Sequence, residues 1–270
     1  MIPEAFGYTR ARTVAEAILA MSGGARALAG GHSLVPALKL RLASEESLVD
    51  IGQLSELKGI SLDGSTLVIG ALTRHHDVAT SADVTAHCAC LAQAAGGVGD
   101  QMVRNRGTLG GSLAQNDPHG DLPAVMLAVG ANITLQGPNG SRTVAADDFF
   151  VDYYETARED DELITSVRIP GAQTSGAYEK FNRRAQDWAI IGAAVSKGAD
   201  GWRVALTGAG PVAVRAKAVE AALASGSAAA DAAAHASDGL NPQEGLDGSA
   251  EYKRHLACVL VKRALVAAGG

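Results

Sequence analysis

Two glycine pairs, each followed at once by a helix-like run, constrain this chain more than any other feature. The first lies in "LAGGHSLVPALKLRLA", residues 28–43, and the second in "RNRGTLGGSLAQNDPHGDLPA", residues 104–124. Backbone amides at a helix start carry partial positive charge and lack intrahelical partners, so they are natural donors to phosphate oxygens. Without β-carbons at Gly30, Gly31, Gly110 and Gly111 a diphosphate can come close to the chain, and the hydroxyls of Ser33, Thr108 and Ser112 add donors. Two such loops would hold a dinucleotide from both sides. Taken alone, a glycine pair before a helix is more often a plain turn. Neither matches G-x-x-x-x-G-K-[ST], and no G-x-G-x-x-G joins a strand to a helix, which disfavours a nucleotide kinase and a Rossmann dehydrogenase.

Around these loops the pattern is α+β. Thr13 and Glu16 form a T-x-x-E capping box ahead of a first helix that "SGG" at 22–24 ends. "ARALAGG" then reads as a short buried strand. Ser33 is expected to cap the next helix, with Pro36 in its first turn and Lys39 and Arg41 in solvent, and "SLVDI" is the following strand. Hairpins are expected at Asp63-Gly64 and Asn139-Gly140, a helix capped by Thr73, helices at "CACLAQAAG" and "DLPAVMLAVGA", and a strand ending at Pro170. A linker near residue 171 leads into the strands "GAYEKFNRR", "WAIIGAAVSKG" and "GWRVALTGAG". The last helix is expected to bury Tyr252, Leu256, Val259 and Leu260, and "ASGSAAADAAAHAS" to be a surface helix and loop.

A chain of 270 residues suits two or three subdomains that need no disulfide or structural metal. Its 23 Lys plus Arg against 29 Asp plus Glu give a net charge of −6, with no basic run, which argues against nucleic acid or an anionic membrane surface as partner. The three cysteines, Cys88, Cys90 and Cys258, lack C-x-x-C spacing and read as reduced thiols of a cytoplasmic protein. No segment resembles a signal peptide or a membrane span. His75-His76 and the histidine of "DPHGD" have no matching set of metal ligands and read as solvated loop residues.

The two glycine motifs, together with "LVDI" and "YEKFNRRAQDWAIIGAAV", resemble the FAD-binding medium subunits of molybdenum hydroxylases, the xanthine dehydrogenase family, nearest to its aerobic carbon monoxide dehydrogenase branch. The likeness covers essentially the whole chain. It implies a vanillyl-alcohol-oxidase/PCMH-type FAD-binding fold of two α+β subdomains, residues 1–57 and 58–170. A third domain of antiparallel sheet and helices would follow at 171–270. The resemblance places Ala29, Gly30, Gly31, His32, Ser33 and Leu34 along the diphosphate and Thr108, Leu109, Gly110, Gly111 and Ser112 in a second FAD loop. Asn116 would hold that loop, and Asp121 would accept hydrogen bonds from a hydroxyl-bearing part of FAD. Lys180, Asp187 and Trp188 fall where the family brings its third domain over the flavin. The family often carries another aromatic at the Trp188 position and Asn at that of Ser112.

The residues themselves leave alternatives. Asp121 also reads as a helix N-cap, Trp188 as a core tryptophan, and Arg104 and Arg106 as facing FAD phosphates, a partner subunit or solvent. His32 reads as a hydrogen-bond donor and not a catalytic base. No catalytic residue and no metal ligand is assigned to this chain.

The resemblance further implies an electron-transfer subunit. A small partner would carry two two-iron two-sulfur clusters and a large one molybdopterin cytosine dinucleotide, in a dimer of heterotrimers whose electrons leave to a quinone or another acceptor. A cluster needs four cysteine ligands, so none can sit on this chain. The partner chain oxidises the substrate, with carbon monoxide the first reading and N-heterocycles, purines and aldehydes the others. The rival classes are a self-contained flavin oxidoreductase of the same fold and a scaffold subunit that has lost FAD.

Overall fold

The computed structural model describes residues 2–270. Its first unit is a small parallel sheet of β1 (Gly7–Arg10), β2 (Arg26–Leu28) and β3 (Ser47–Asp50), ordered β1-β3-β2, with the helices Val14–Ser22 and Leu34–Leu40 as crossovers. Thr13 Oγ1 accepts from the Glu16 amide at 3.1 Å, but the Glu16 carboxylate accepts from the Arg12 amide, one residue before the expected partner. Ser33 does not cap: its backbone is already helical (φ −108°, ψ −52°) and its hydroxyl makes no cap bond. The β2 strand is half-buried to exposed instead of buried, because Arg26, Ala27 and Leu28 form one wall of a cleft.

The second unit is an antiparallel sheet. Its strands are β4 (Ile60–Asp63), β5 (Thr66–Gly70), β6 (Asn132–Gly137), β7 (Gly140–Ala145) and, after the small hairpin of β8 (Phe150–Asp152) and β9 (Glu155–Thr156), β10 (Leu163–Ile169). They are ordered β4-β5-β10-β6-β7. In the first hairpin only Gly64 takes a positive φ, +59°, and not Asp63. Thr73 caps no helix: its hydroxyl accepts from the Gly59 amide and donates to the Gly59 carbonyl, stitching the chain beside β5, and Arg74 stands at the N-cap of the helix His75–Thr80.

The third unit is the antiparallel sheet β11 (Ser175–Phe181), β12 (Ile191–Gly198), β13 (Gly201–Thr207) and β14 (Val214–Arg215), with the helix Ala250–Ala267 packed across it. That helix buries Lys253, Leu256, Ala257, Leu260, Val261, Ala264 and Leu265, while Tyr252 is exposed and Val259 half-buried. Leu256 and Leu260 are thus buried as expected, while the small residues Ala257 and Ala264 fill the rest of the buried stripe in place of Tyr252 and Val259. The alanine-rich segment is likewise no mere surface piece, because Ala232, Ala233 and Ala236 enter the same core.

The helix Asp121–Val129 joins the second and third units. All nine of its residues are buried, as expected for a helix that is apolar on every side. It shares one apolar cluster with Ile133 and Val167 of the second sheet and with Ala194 and Ala205 of the third. Each fully buried Leu or Val of that helix contributes about 1.5–3 kcal/mol, so the docking of the third unit is part of the core and not a loose contact.

Candidate functional site

The three units surround a cleft of about 560 Å³, within the range of small-molecule sites. Ala29 to Leu34 form one wall. Gly31 has φ +73°, a left-handed conformation that glycine adopts at no steric cost. Gly30 serves a different purpose: a β-carbon there would lie 2.4 Å from the Arg106 carbonyl oxygen, so this glycine lets the two loops touch. The amides of Gly30, Gly31, His32, Ser33 and Leu34 have no acceptor among the described residues. The His32 ring donates from Nδ1 to the Gly30 carbonyl at 2.9 Å, which shapes the loop and leaves those amides free.

The second loop is built otherwise. Its Leu109 amide donates to the Thr73 carbonyl (2.9 Å) and Gly110 to that of Ala71 (2.8 Å). Gly111 donates to Thr108 Oγ1 (3.2 Å) and Ser112 to the Thr108 carbonyl (3.0 Å). A β-carbon on Gly110 would sit 2.6 Å from that of Ala71, so this glycine is required for packing. Thr108, Gly110, Gly111 and Ser112 still line the cleft. Leu109 does not, being fully buried in the core of the second unit. Asn116 is also away from the cleft: its side-chain amide donates to the carbonyls of Asp152 and Glu155 (2.9 and 2.7 Å) and so pins the β8–β9 hairpin.

Asp121 is the first helical residue, after Gly120, and its carboxylate is not a cap. Both oxygens are held by the third unit: Tyr178 donates its hydroxyl to Oδ1 at 2.5 Å, and Lys180 donates to Oδ2 at 3.1 Å and to the Gly97 carbonyl at 3.2 Å. Tyr178 and Lys180 are two apart on β11 and share a face. Burial pushes the Asp121 carboxyl up from its ordinary range, and the Lys180 ammonium opposes that shift. Burial, with the Asp121 charge beside it, holds the Tyr178 hydroxyl well above its ordinary value. On β12, Gly192, which pairs with Lys180, leaves the room that a β-carbon would take from the Tyr178 hydroxyl.

Asp187 and Trp188 reach the cleft from the loop after β11. Trp188 is 56% exposed and therefore no core residue. His75 overturns the expectation of a solvated loop histidine. It is buried, lines the cleft beneath Gly107, and has no partner for Nδ1. Burial, with the charges of His32 and Arg104, lowers it to about 4. Arg104 does not line the cleft and donates to the carbonyls of Val98 and Gly99 (both 3.0 Å), and Arg106 is exposed. Sequence reasoning missed Tyr178 and Arg158. The Arg158 guanidinium enters the cleft and donates to the carbonyls of Glu159 and Glu162, and burial lowers its pKa.

Free amides on a positive-φ turn, with a lysine and an arginine nearby, fit a bound diphosphate. Residues 4–172 match the FAD binding domain in molybdopterin dehydrogenase, and residues 176–268 match the CO dehydrogenase flavoprotein C-terminal domain. The chain belongs to the FAD-binding subunits of the molybdenum hydroxylases. It is 43% identical over 282 residues to the carbon monoxide dehydrogenase medium chain of Hydrogenophaga pseudoflava, covering 99% of this chain and 98% of that one. Its structure superposes with a TM-score of 0.96 and 44% identity on carbon monoxide dehydrogenase from Hydrogenophaga pseudoflava lacking the Mo-pyranopterin moiety of its cofactor, over 100% and 99% of the two chains. Quinoline 2-oxidoreductase from Pseudomonas putida 86 matches at a TM-score of 0.92 and 32% identity, over 99% and 98%. The fold is therefore the family's FAD-binding one, with an antiparallel C-terminal domain, and the subunit is that of an oxidoreductase.

Proposed function

We propose that this chain carries FAD as the electron-transfer subunit of a carbon monoxide dehydrogenase-type complex. The observation that carries the reading is the row of free amides at Gly30 to Leu34, facing a cleft that also receives Asp121, Lys180, Asp187 and Trp188. Bound flavin supplies redox chemistry in single and paired electron steps. The chain's residues bind and orient it: the first loop takes the diphosphate, Thr108, Gly111 and Ser112 of the second loop add to the cleft wall, and the Tyr178–Asp121–Lys180 group fixes a carboxylate for hydroxyl groups. Trp188 supplies an aromatic face. Leu109 and Asn116 act only by holding the second loop and the β8–β9 hairpin.

With three cysteines, two of them buried, the chain cannot ligate an iron-sulfur cluster, so the electrons come from a partner. The reading includes a small subunit with two two-iron two-sulfur clusters, a large one with molybdopterin cytosine dinucleotide, a dimer of heterotrimers, and transfer to a quinone or other acceptor. No helix among the described residues is long and apolar enough to cross a membrane. The reading places the complex in the cytoplasm, in peripheral contact with the membrane where a quinone is its acceptor. The likeness to quinoline 2-oxidoreductase favours one second reading, a complex oxidising an N-heterocycle.

The test is the absorption spectrum of the chain after FAD addition and desalting, followed by copurification of its partners from the native host. Stoichiometric FAD, iron and molybdenum in the copurified complex, with carbon monoxide-dependent dye reduction, is the expected result. A folded chain that stays colourless even in its complex points to a scaffold. Turnover by the isolated, FAD-loaded chain points to a self-contained oxidoreductase.

A further inference from the structure

Under the second loop lies a histidine with nothing to bond. His75 is 5% exposed, and no group among the described residues reaches its Nδ1. Buried polar atoms are nearly always paired, and each exception has a physical reason. The His75 amide donates to the Gly107 carbonyl at 3.0 Å, which holds the residue beneath that glycine. The Cδ2–Nε2 edge of the ring occupies the room that a side chain at 107 would need, 2.7 and 2.8 Å from the position of its β-carbon. Gly107 and His75 both line the cleft, and Gly30 of the first loop rests on the Arg106–Gly107 backbone. A single glycine therefore stands between the imidazole and the loop whose amides are free.

The surroundings keep this ring neutral in the free chain. Burial, then the charges of His32 in the first loop and Arg104 in the helix Gln101–Arg104, hold it near 4. Arg74, His76 and Asp77 flank it in sequence and are exposed. The helix Ala89–Gly96, which packs on its own helix, carries no charged residue. The helix Ala82–His87 brings an exposed Asp83 and a buried His87 whose Nε2 stands 3.4 Å from the Ile169 carbonyl. Asp100 is engaged with the Val103 amide at 2.8 Å, and Arg106 is exposed. An anion in the cleft acts in the opposite direction, because a nearby negative charge favours the protonated imidazole.

We propose that His75 is a cofactor-binding residue whose ring takes up a proton when FAD enters the cleft and donates to the anionic diphosphate. The proposal rests on the FAD reading of that cleft and deepens it. The proton comes from solvent, and both charges are then paired in the interior. Binding is thereby linked to pH through one buried side chain, while the diphosphate itself stays ionised.

The test is calorimetric titration of the FAD-free chain with FAD at pH 5 and pH 8, each in two buffers of different ionisation enthalpy, which counts the protons taken up. At pH 5 the unaltered chain should take up at least about half a proton per FAD. His75→Gln keeps a donor but cannot be charged. It should bind FAD within about threefold of the unaltered chain at pH 8 and about tenfold more weakly at pH 5, without the uptake. His32→Gln, at the other imidazole of the cleft, should leave the uptake in place. Should His75→Gln not fold, nitrogen NMR of histidine-labelled unaltered chain gives the same answer: at pH 5 the ring adjoining Gly107 should be neutral without FAD and charged with it. Binding without proton uptake, the same uptake and affinity in His75→Gln, or a ring that stays neutral in the complex would each overturn the proposal and leave the cleft assignment standing. A chain that binds no FAD at either pH overturns both together.

Discussion

The two glycine loops look alike in sequence and differ in what their backbone does. In the first, five consecutive amides from Gly30 to Leu34 are free and Gly31 turns through a positive φ. In the second, four consecutive amides from Leu109 to Ser112 are bonded within the protein, and Gly110 is held against Ala71. One loop is a donor and the other a brace. The brace also positions the donor, because Gly30 rests on the backbone of Arg106 and Gly107. A glycine pair before a helix therefore carries two different physical meanings, amides left without a partner or close approach of the chain to itself.

Substitutions at the glycines would break this comparison most directly. Gly110→Val should destabilise the chain by about 3 kcal/mol or more, because its side chain has nowhere to go beside Ala71, and a thermal midpoint lower by at least about 6 °C would register it. A midpoint unchanged within error would mean that the second loop is no brace. Gly31→Val should leave the chain folded, at a backbone cost of about 1–2 kcal/mol for the left-handed position, yet weaken FAD at least about 100-fold in equilibrium dialysis. Retention of FAD by that variant would remove the donor loop from the site.

The brace should also carry a pH dependence. His75 donates its amide to the Gly107 carbonyl and is held near 4, below its ordinary 6.5. The unfolded chain gains a proton as pH falls below 6.5 while the folded one stays neutral, so stability is complete above 6.5 and is lost as pH falls toward 4. The loss at pH 5 should be about 2 kcal/mol, and His75→Gln should flatten that part of the stability profile. Equal acid slopes for both proteins, measured by urea unfolding without FAD, would contradict it. Smallest is Tyr178→Phe, which removes one of the two protein donors to the Asp121 carboxylate and should cost about 1.5 kcal/mol by the same measurement.

Much of the architecture was legible because local rules agreed with the fold: the hairpins at Gly64 and Gly140, the buried helix after Gly120, and the break at Pro170. The division of labour between the loops was not. It depends on carbonyls of Ala71 and Thr73, more than 35 residues from the second loop in sequence, and no periodicity points to them. Tyr178 was hidden in the same way. Alternation along β11 puts it on the face of Lys180, but its partner Asp121 lies 57 residues away in another unit. Leu109 and Asn116 were drawn into the site by their place in a motif, although one packs the core and the other fastens a hairpin. His75 was placed in solvent because nothing local reveals that Gly107 and the second loop cover it.

The most direct measurement is residue-resolved amide hydrogen exchange with and without FAD. The amides of Leu109 to Ser112 should be protected in both states, and those of Gly31 to Leu34 should exchange freely until FAD slows them by at least about tenfold. Free exchange at Leu109 to Ser112 in the FAD-free chain, with protection appearing there and not at Gly31 to Leu34 when FAD binds, would reverse the roles of the two loops and contradict the account.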